Sequence, residues 1–265
     1  MDLVRVRAHG RGLGGLDARA AYLGHALPRV PDVLEALDAT DAVVLPLLLT
    51  GAYHSDADLP AVLAAARQGL AGLRISYGHP LGPHPLLLSA LDRRVTEAGV
   101  LADRGDVAVV LAAAGSSRAP ANAAVARVAA AWRSARGWRE VVPAYASAAS
   151  PTPGQAVAAL LRAGAPRVVV ASYLLAPGLF ADHVRERSLA AGAQAVSPVL
   201  GAAPEVADLV LERYLQAAGR TRTASRSTSR VRVPAWPDIA TTGRRWPRIH
   251  LRSGRSVRHY GHDPG

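Results

Sequence analysis

From residue 16 to residue 217, apolar runs of strand length alternate with longer amphipathic stretches, the pattern of parallel sheets wrapped by helices. The runs predict strands over Ala18–Leu23, Ala42–Leu49, Leu73–Ser76, Val107–Ala113, Glu140–Tyr145, Arg167–Tyr173 and Ala193–Ser197. Helices are predicted over Pro31–Leu37, Leu59–Gly69, Pro85–Ala98, Ala121–Ala135, Pro153–Ala163, Leu179–Ala191 and Pro204–Ala217, most opening on Pro, Asp or Thr and several closing on Gly.

The pattern also repeats. AAYLGHALPRVPDVLEAL, from Ala20, aligns with PAYASAASPTPGQAVAAL, from Pro143. VVLPLLLTGAYHSDADLP, from Val43, aligns with the segment around VVVASYLLAPGLFADHV, from Val168, so that His54 falls on Phe180. Two duplicated α/β lobes are the simplest reading, each a parallel sheet flanked by helices. The expected division is 1–104 for a first lobe, 105–218 for a second and 219–265 for a disordered Arg-rich tail. The first lobe is short: the strand VAVVLAAAGSS and the helix ANAAVARVAAAWRSARG have no full counterpart before Ala20, so about one helix, or a strand plus a helix if MDLVRVRAHGRGLGG is a helix remnant and loop, is expected to be missing from its start.

Composition narrows the chemistry. Zero cysteines among 265 residues exclude disulfides, thiolate metal sites and cysteine nucleophiles, so any metal must be held by nitrogen and oxygen. The formal charge is +11, and residues 220–265 hold eleven Arg against Asp238 and Asp263, nine of those eleven charges. All 31 basic residues are Arg, which fits a compositional bias better than selection for phosphate binding. Trp236 and Trp246 between Arg clusters could stack on bases, but nucleic acid is not the expected partner. No apolar run is long enough to span a membrane and no leader is read, so a cytoplasmic protein is expected.

Reactive groups in open parallel sheets gather beyond the carboxyl ends of the strands. His54 follows the Ala42–Leu49 strand in a loop with Tyr53, Ser55, Asp56 and Asp58, and Asp58 reads as the cap of the next helix. A single histidine after a strand is more often an ordinary loop residue than a ligand. His25 follows the Ala18–Leu23 strand and is expected on the same sheet edge, as a second nitrogen or a turn residue. His9 either ends a short first strand or is exposed on a helix remnant. His79 and His84 fit a Pro- and Gly-rich turn and the helix after it. In the second half, Ala114-Gly115-Ser116-Ser117 opens a helix, where amides and the hydroxyls of Ser116 and Ser117 suit an anionic group, although a small-residue turn is the commoner meaning.

These segments, with LGPHPLLLSALDRR and VVPAYASAASPTP, resemble the long, two-lobed actinobacterial-type sirohydrochlorin chelatases over Leu16 to about Tyr214. The resemblance implies class II chelatase architecture and a lyase that inserts Co2+ or Fe2+ into sirohydrochlorin during cobalamin or sirohaem biosynthesis. The metal ion is then a substrate, and no permanently bound cofactor is implied. His54 matches the second family histidine. The first lies in an AHGS-like turn, matched by Ala8-His9-Gly10 in the first half and, without its imidazole, by Ala114-Gly115-Ser116 in the second. Some members place a carboxylate after the second strand, where this chain has Gly24 beside His25. The expected metal ligands are therefore His54, His9 and His25, with His54 as the catalytic group and Ser116 and Ser117 toward substrate carboxylates. A non-catalytic tetrapyrrole- or metal-binding protein is the alternative.

Overall fold

The computed structural model describes residues 1–24, 26–50, 59–70, 72–100 and 104–224, which fall within one compact unit. The chain opens with α1 (Asp2–His9) and α2 (Val30–Glu35), followed by β1 (Asp41–Val44), α3 (Leu59–Gly69), β2 (Arg74–Tyr77) and α4 (Pro85–Glu97). The second half runs β3 (Val107–Ala113), α5 (Ala119–Arg136), β4 (Glu140–Tyr145), α6 (Pro153–Arg162), β5 (Arg167–Tyr173), α7 (Leu179–Ala190), β6 (Ala195–Val196) and α8 (Pro204–Ala224).

The run VAVVLAA becomes the central strand β3, all seven residues buried, as expected of a parallel strand covered on both faces. It pairs in parallel with β4 and β5, and β5 with β6, in the order β4-β3-β5-β6. Pro143 lies in the edge strand β4, opposite Leu111, where a missing N–H is tolerated. Alternation along β3 sends Val107, Val109 and Leu111 to one face, in a core with Leu87, Leu91, Trp132, Leu209 and Leu211. Ala108, Val110 and Ala112 face the other way, onto Val157 of α6 and Val184 of α7.

In the first half β1 and β2 form a two-stranded parallel sheet, Val43 opposite Ser76 and Val44 opposite Tyr77, over a small core of Val30, Leu34, Leu59, Leu63 and Ile75. The duplication is visible in the hydrogen bonds: the Gly78 amide donates to the Val44 carbonyl as the Ser197 amide donates to Val170. Two helices cross between the halves. α4 packs on β5 of the second sheet, while α8 packs on β1 and β2 of the first. Arg93 of α4 grips Glu205 of α8 through Nε at 3.0 Å and Nη2 at 2.7 Å.

Two expected elements come out differently. Ala18–Leu23 is not a strand, and among the described residues its ladder contact is a bridge between Tyr22 and Arg29. In the second half the matching strand β4 lies against β3, whereas no counterpart of β3 is present among the described residues of the first half, and a strand does not persist without a partner. For the same reason β1 ends at Val44, with its last three residues only half-buried, short of the expected Leu49. The N-terminal segment, open in the sequence between a short strand and a helix, is a helix. α1 buries Val4 and Ala8, and Arg7 and Arg11 both reach Asp208 of α8. Of the tail 219–265, expected to be disordered, residues 219–224 continue α8, and the rest lies outside the described residues.

Candidate functional site

At the carboxyl ends of the strands, Leu48 and Leu49 after β1 meet the loop after β2 and the end of β5, and the turns after β3 and β4 meet each other. The chain leaving β1 runs through Leu45–Thr50 toward His54, which, like His25, lies outside the described residues. Leu48 and Leu49 are held from both halves of the fold. The Gly82 amide, in the loop after β2, donates to the Leu48 carbonyl at 3.0 Å. The Tyr173 hydroxyl, at the end of β5, donates to the Leu49 carbonyl at 3.1 Å. Tyr173 is 2% exposed, and burial pushes its hydroxyl well above the ordinary tyrosine value, so it stays a neutral donor.

The loop after β2 is clamped by α8. Arg213, buried in α8, donates to the carbonyls of Pro80 at 2.9 Å and Leu81 at 3.2 Å. His84 caps α4, its Nδ1 accepting from the Leu86 amide at 3.2 Å while Nε2 lies 3.4 Å from Glu212 Oε1. Nδ1 is therefore unprotonated. Burial lowers the His84 pKa, against the opposing pull of Glu212 and with Arg213 adding to the lowering. His84 thus serves the turn and the helix start, as read from the sequence, and His79 is exposed in the same loop.

In the second half, Gly115 takes φ +86, and a Cβ there would lie 2.0 Å from the Ser147 carbonyl oxygen, so only glycine lets the turns after β3 and β4 close on each other. Asn122 completes the turn: its Oδ1 accepts from the Ser116 amide at 3.1 Å and its Nδ2 donates to the Ser116 carbonyl at 2.7 Å. Ser116 Oγ accepts from the Arg118 amide at 3.1 Å and is half-buried, whereas Ser117 is exposed. At the next strand end Leu179 and Phe180 are 74% and 49% exposed.

His9 is the last residue of α1 and is exposed, so of its two expected settings the structure takes the helical one. Among the described residues no group of three His, Asp or Glu side chains comes together to hold a metal ion. Sequence reading missed Tyr173, Gly82, Asn122 and Arg213. Asn122, just inside a helix that follows a small-residue turn, carried a local signal; Tyr173 and Arg213 act over more than a hundred residues and carried none.

Comparison with known proteins bears on this duplicated parallel α/β fold with its strand-end loops. The CbiX family model matches residues 4–98 and 108–217, so the chain belongs to the CbiX family. It is 27% identical over 157 residues to a sirohydrochlorin cobaltochelatase of Priestia megaterium, covering 58% of this chain and 51% of that one. A sirohydrochlorin ferrochelatase of the same organism is 27% identical over 168 residues, 62% of this chain and 63% of the relative. The chain thus spans between about half and two thirds of the length of these curated relatives. Among solved structures, SirB from Bacillus subtilis with Fe3+ superposes with a TM-score of 0.69 at 23% identity, over 84% of this chain and 92% of that one, a likeness of fold. Among the described residues no helix is long and apolar enough to cross a membrane.

Proposed function

We propose that this chain inserts Co2+ or Fe2+ into sirohydrochlorin, with His54 as metal ligand and proton acceptor. The observation that carries the reading is the match to the CbiX family across both halves, combined with an imidazole, His54, at the strand-end loop of one half and Phe180 at the same place in the other. The relatives' names supply the substrate class.

The chemistry suits such a site. Inserting an ion into a tetrapyrrole requires a weak, open nitrogen and oxygen site that can release it, while two pyrrole N–H groups lose protons. A neutral imidazole can first hold the ion and, once the ion has left, accept a proton near neutral pH. His25 is the proposed second nitrogen. His9, exposed at the end of α1, is the weaker third candidate. The carboxylate rim of the substrate meets the N-terminal end of α5, where the exposed Ser117 hydroxyl is a donor and Ser116 shapes the turn.

A non-catalytic tetrapyrrole or metal carrier is the second reading, favoured by the position of His9 on a helix. Anaerobic absorbance of the full chain with sirohydrochlorin and Co2+ or Fe2+ separates the two. A chelatase accelerates insertion over the metal alone; a carrier shifts the tetrapyrrole spectrum without acceleration.

A further inference from the structure

The first half keeps both flanks of a central strand. In the second half β3 lies between β4 and β5, pairing residues 108–113 with 140–145 and residues 107–113 with 167–173. The aligned residues of the first half are 17–22 and 41–47. On one flank, the Tyr22 amide donates to the Pro28 carbonyl at 3.0 Å, as the Tyr145 amide donates to Pro151 at 2.9 Å, and Arg19 reaches the Ala36 carbonyl at the end of α2. On the other, Asp41 pairs with Arg74 across β1 and β2, as Arg167 binds Gln194 beside β6. A covering helix is also in place. α4 and α8 are counterparts, since the Gly82 amide before α4 donates to Leu48 as the Leu200 amide before α8 donates to Leu174. α5 brings Trp132 and Arg136 to Asp92 of α4, and α1 brings Arg7 and Arg11 to Asp208 of α8.

Burial separates the two halves. Tyr145 is 6% exposed and Ala144 fully buried, whereas Tyr22 is 47% exposed and residues 19–24 are all exposed. Six of the seven residues of β5 are buried, but none of the four in β1. Among the described residues no ladder joins 17–22 to β1. On the side away from β2, β1 therefore offers a row of unpaired amides and carbonyls, and such an edge is a template for another extended chain.

We propose that this edge is a docking surface for one extended segment of another polypeptide, seated as a parallel strand between residues 17–22 and β1 in the register that β3 has in the second half. β3 defines the chemistry of the occupant: seven uncharged residues without proline. Small side chains such as Ala108 and Ala112 would face the α2 side, and larger ones such as Val109 and Leu111 the side of α1 and α8. The ladder would give residues 17–22 the neighbour without which they do not form a strand. A second copy of this chain is a poor source, because its own strand of this character is wholly buried and pairing of two β1 edges would leave residues 17–22 exposed. The proposal stands apart from the chelatase reading.

The probe is a synthetic peptide copying residues 106–116, DVAVVLAAAGS, added to the full chain. The control peptide carries Val109→Pro and Val110→Pro. Consecutive residues of a strand turn their N–H groups to opposite neighbours, so the control loses a donor toward each flank. Amide hydrogen exchange reads the result residue by residue. With the copy, amides in residues 17–22 and 41–44 are expected to exchange about tenfold more slowly or better, with β3 and β5 unchanged. The proline peptide should leave them at the rates of the chain alone. No protection, equal protection by both peptides, or protection confined to the second sheet overturns the proposal. Protection of residues 41–44 that grows with the concentration of the chain alone also overturns it, since the occupant would then be a second copy.

Discussion

Arg213 donates its Nε to the Pro80 carbonyl at 2.9 Å, and through this contact α8 of the second half holds the loop after β2 of the first. Arg213 is 5% exposed and its guanidinium also reaches Leu81, so its charge is spread over carbonyls and Gln216 in a setting with little water. Arg213→Met keeps much of the volume but leaves those carbonyls without their donors. The expected loss is about 2–4 kcal/mol, since hydrogen bonds to charged groups are worth about 1.5–3 kcal/mol and unpaired buried acceptors add to that. Urea unfolding of the variant reads it as a lower midpoint, and a change below about 0.5 kcal/mol would mean that the clamp adds nothing to stability.

The capping of α4 by His84 carries a pH signature. The ordinary imidazole value is 6.5, and burial holds His84 below it in the fold. Above pH 6.5 the ring is neutral both folded and unfolded, and its full contribution is present. As pH falls through 6.5 the unfolded chain takes the proton first, and stability drops. Protonation of Nδ1 would also end its acceptance from Leu86. His84→Asn, which can cap but does not titrate, should remove this part of the acid sensitivity. Melting temperatures at pH 7.5 and 5.5 for both proteins check it: the wild type should lose more than the variant.

The turn at Gly115 admits no side chain. With φ at +86 and the Ser147 oxygen only 2.0 Å from where a Cβ would sit, Gly115→Ala must open the contact between the turns after β3 and β4. A loss of about 2–4 kcal/mol is expected, from strain plus displaced backbone. Thermal unfolding measures it, and an alanine variant as stable as the wild type would show that the close approach is not needed.

What could be read in advance follows the range of the interactions. VAVVLAA declared a buried parallel strand because seven apolar residues in a row leave few other options, and β3 has those bounds. The PTPGQ signal placed the start of α6, where Thr152 and Gln155 form a reciprocal cap. Ala18–Leu23 has strand composition but, among the described residues, no neighbour to pair with, so local propensity lost to missing tertiary context. Amphipathic periodicity in α4 and α8 states that each has a buried face but not which sheet it covers, and both cover the sheet of the other half. The site divides the same way. Duplication and resemblance single out the loop carrying His54, which lies outside the described residues; the bond from Tyr173 to Leu49 spans 124 positions and has no sequence signature.

Asp208 fastens α1. Arg7 and Arg11 both converge on its carboxylate, which is 18% exposed, and the contact holds Arg7 above its ordinary value. Asp208→Asn removes the shared anion while keeping the shape. Hydrogen exchange in α1 should quicken by about tenfold, roughly 1.4 kcal/mol of local stability, with β3 and β5 unchanged. Uniform acceleration across the chain would instead mean that α1 and the second sheet unfold together.

The assignment of His54 is tested most directly by anaerobic insertion of Co2+ into sirohydrochlorin with the full chain and with His54→Ala, alongside circular dichroism of both. The predicted result is a variant with the wild-type spectrum and melting temperature whose insertion rate falls to that of the metal alone. A folded His54→Ala protein that still accelerates insertion like the wild type would contradict the account.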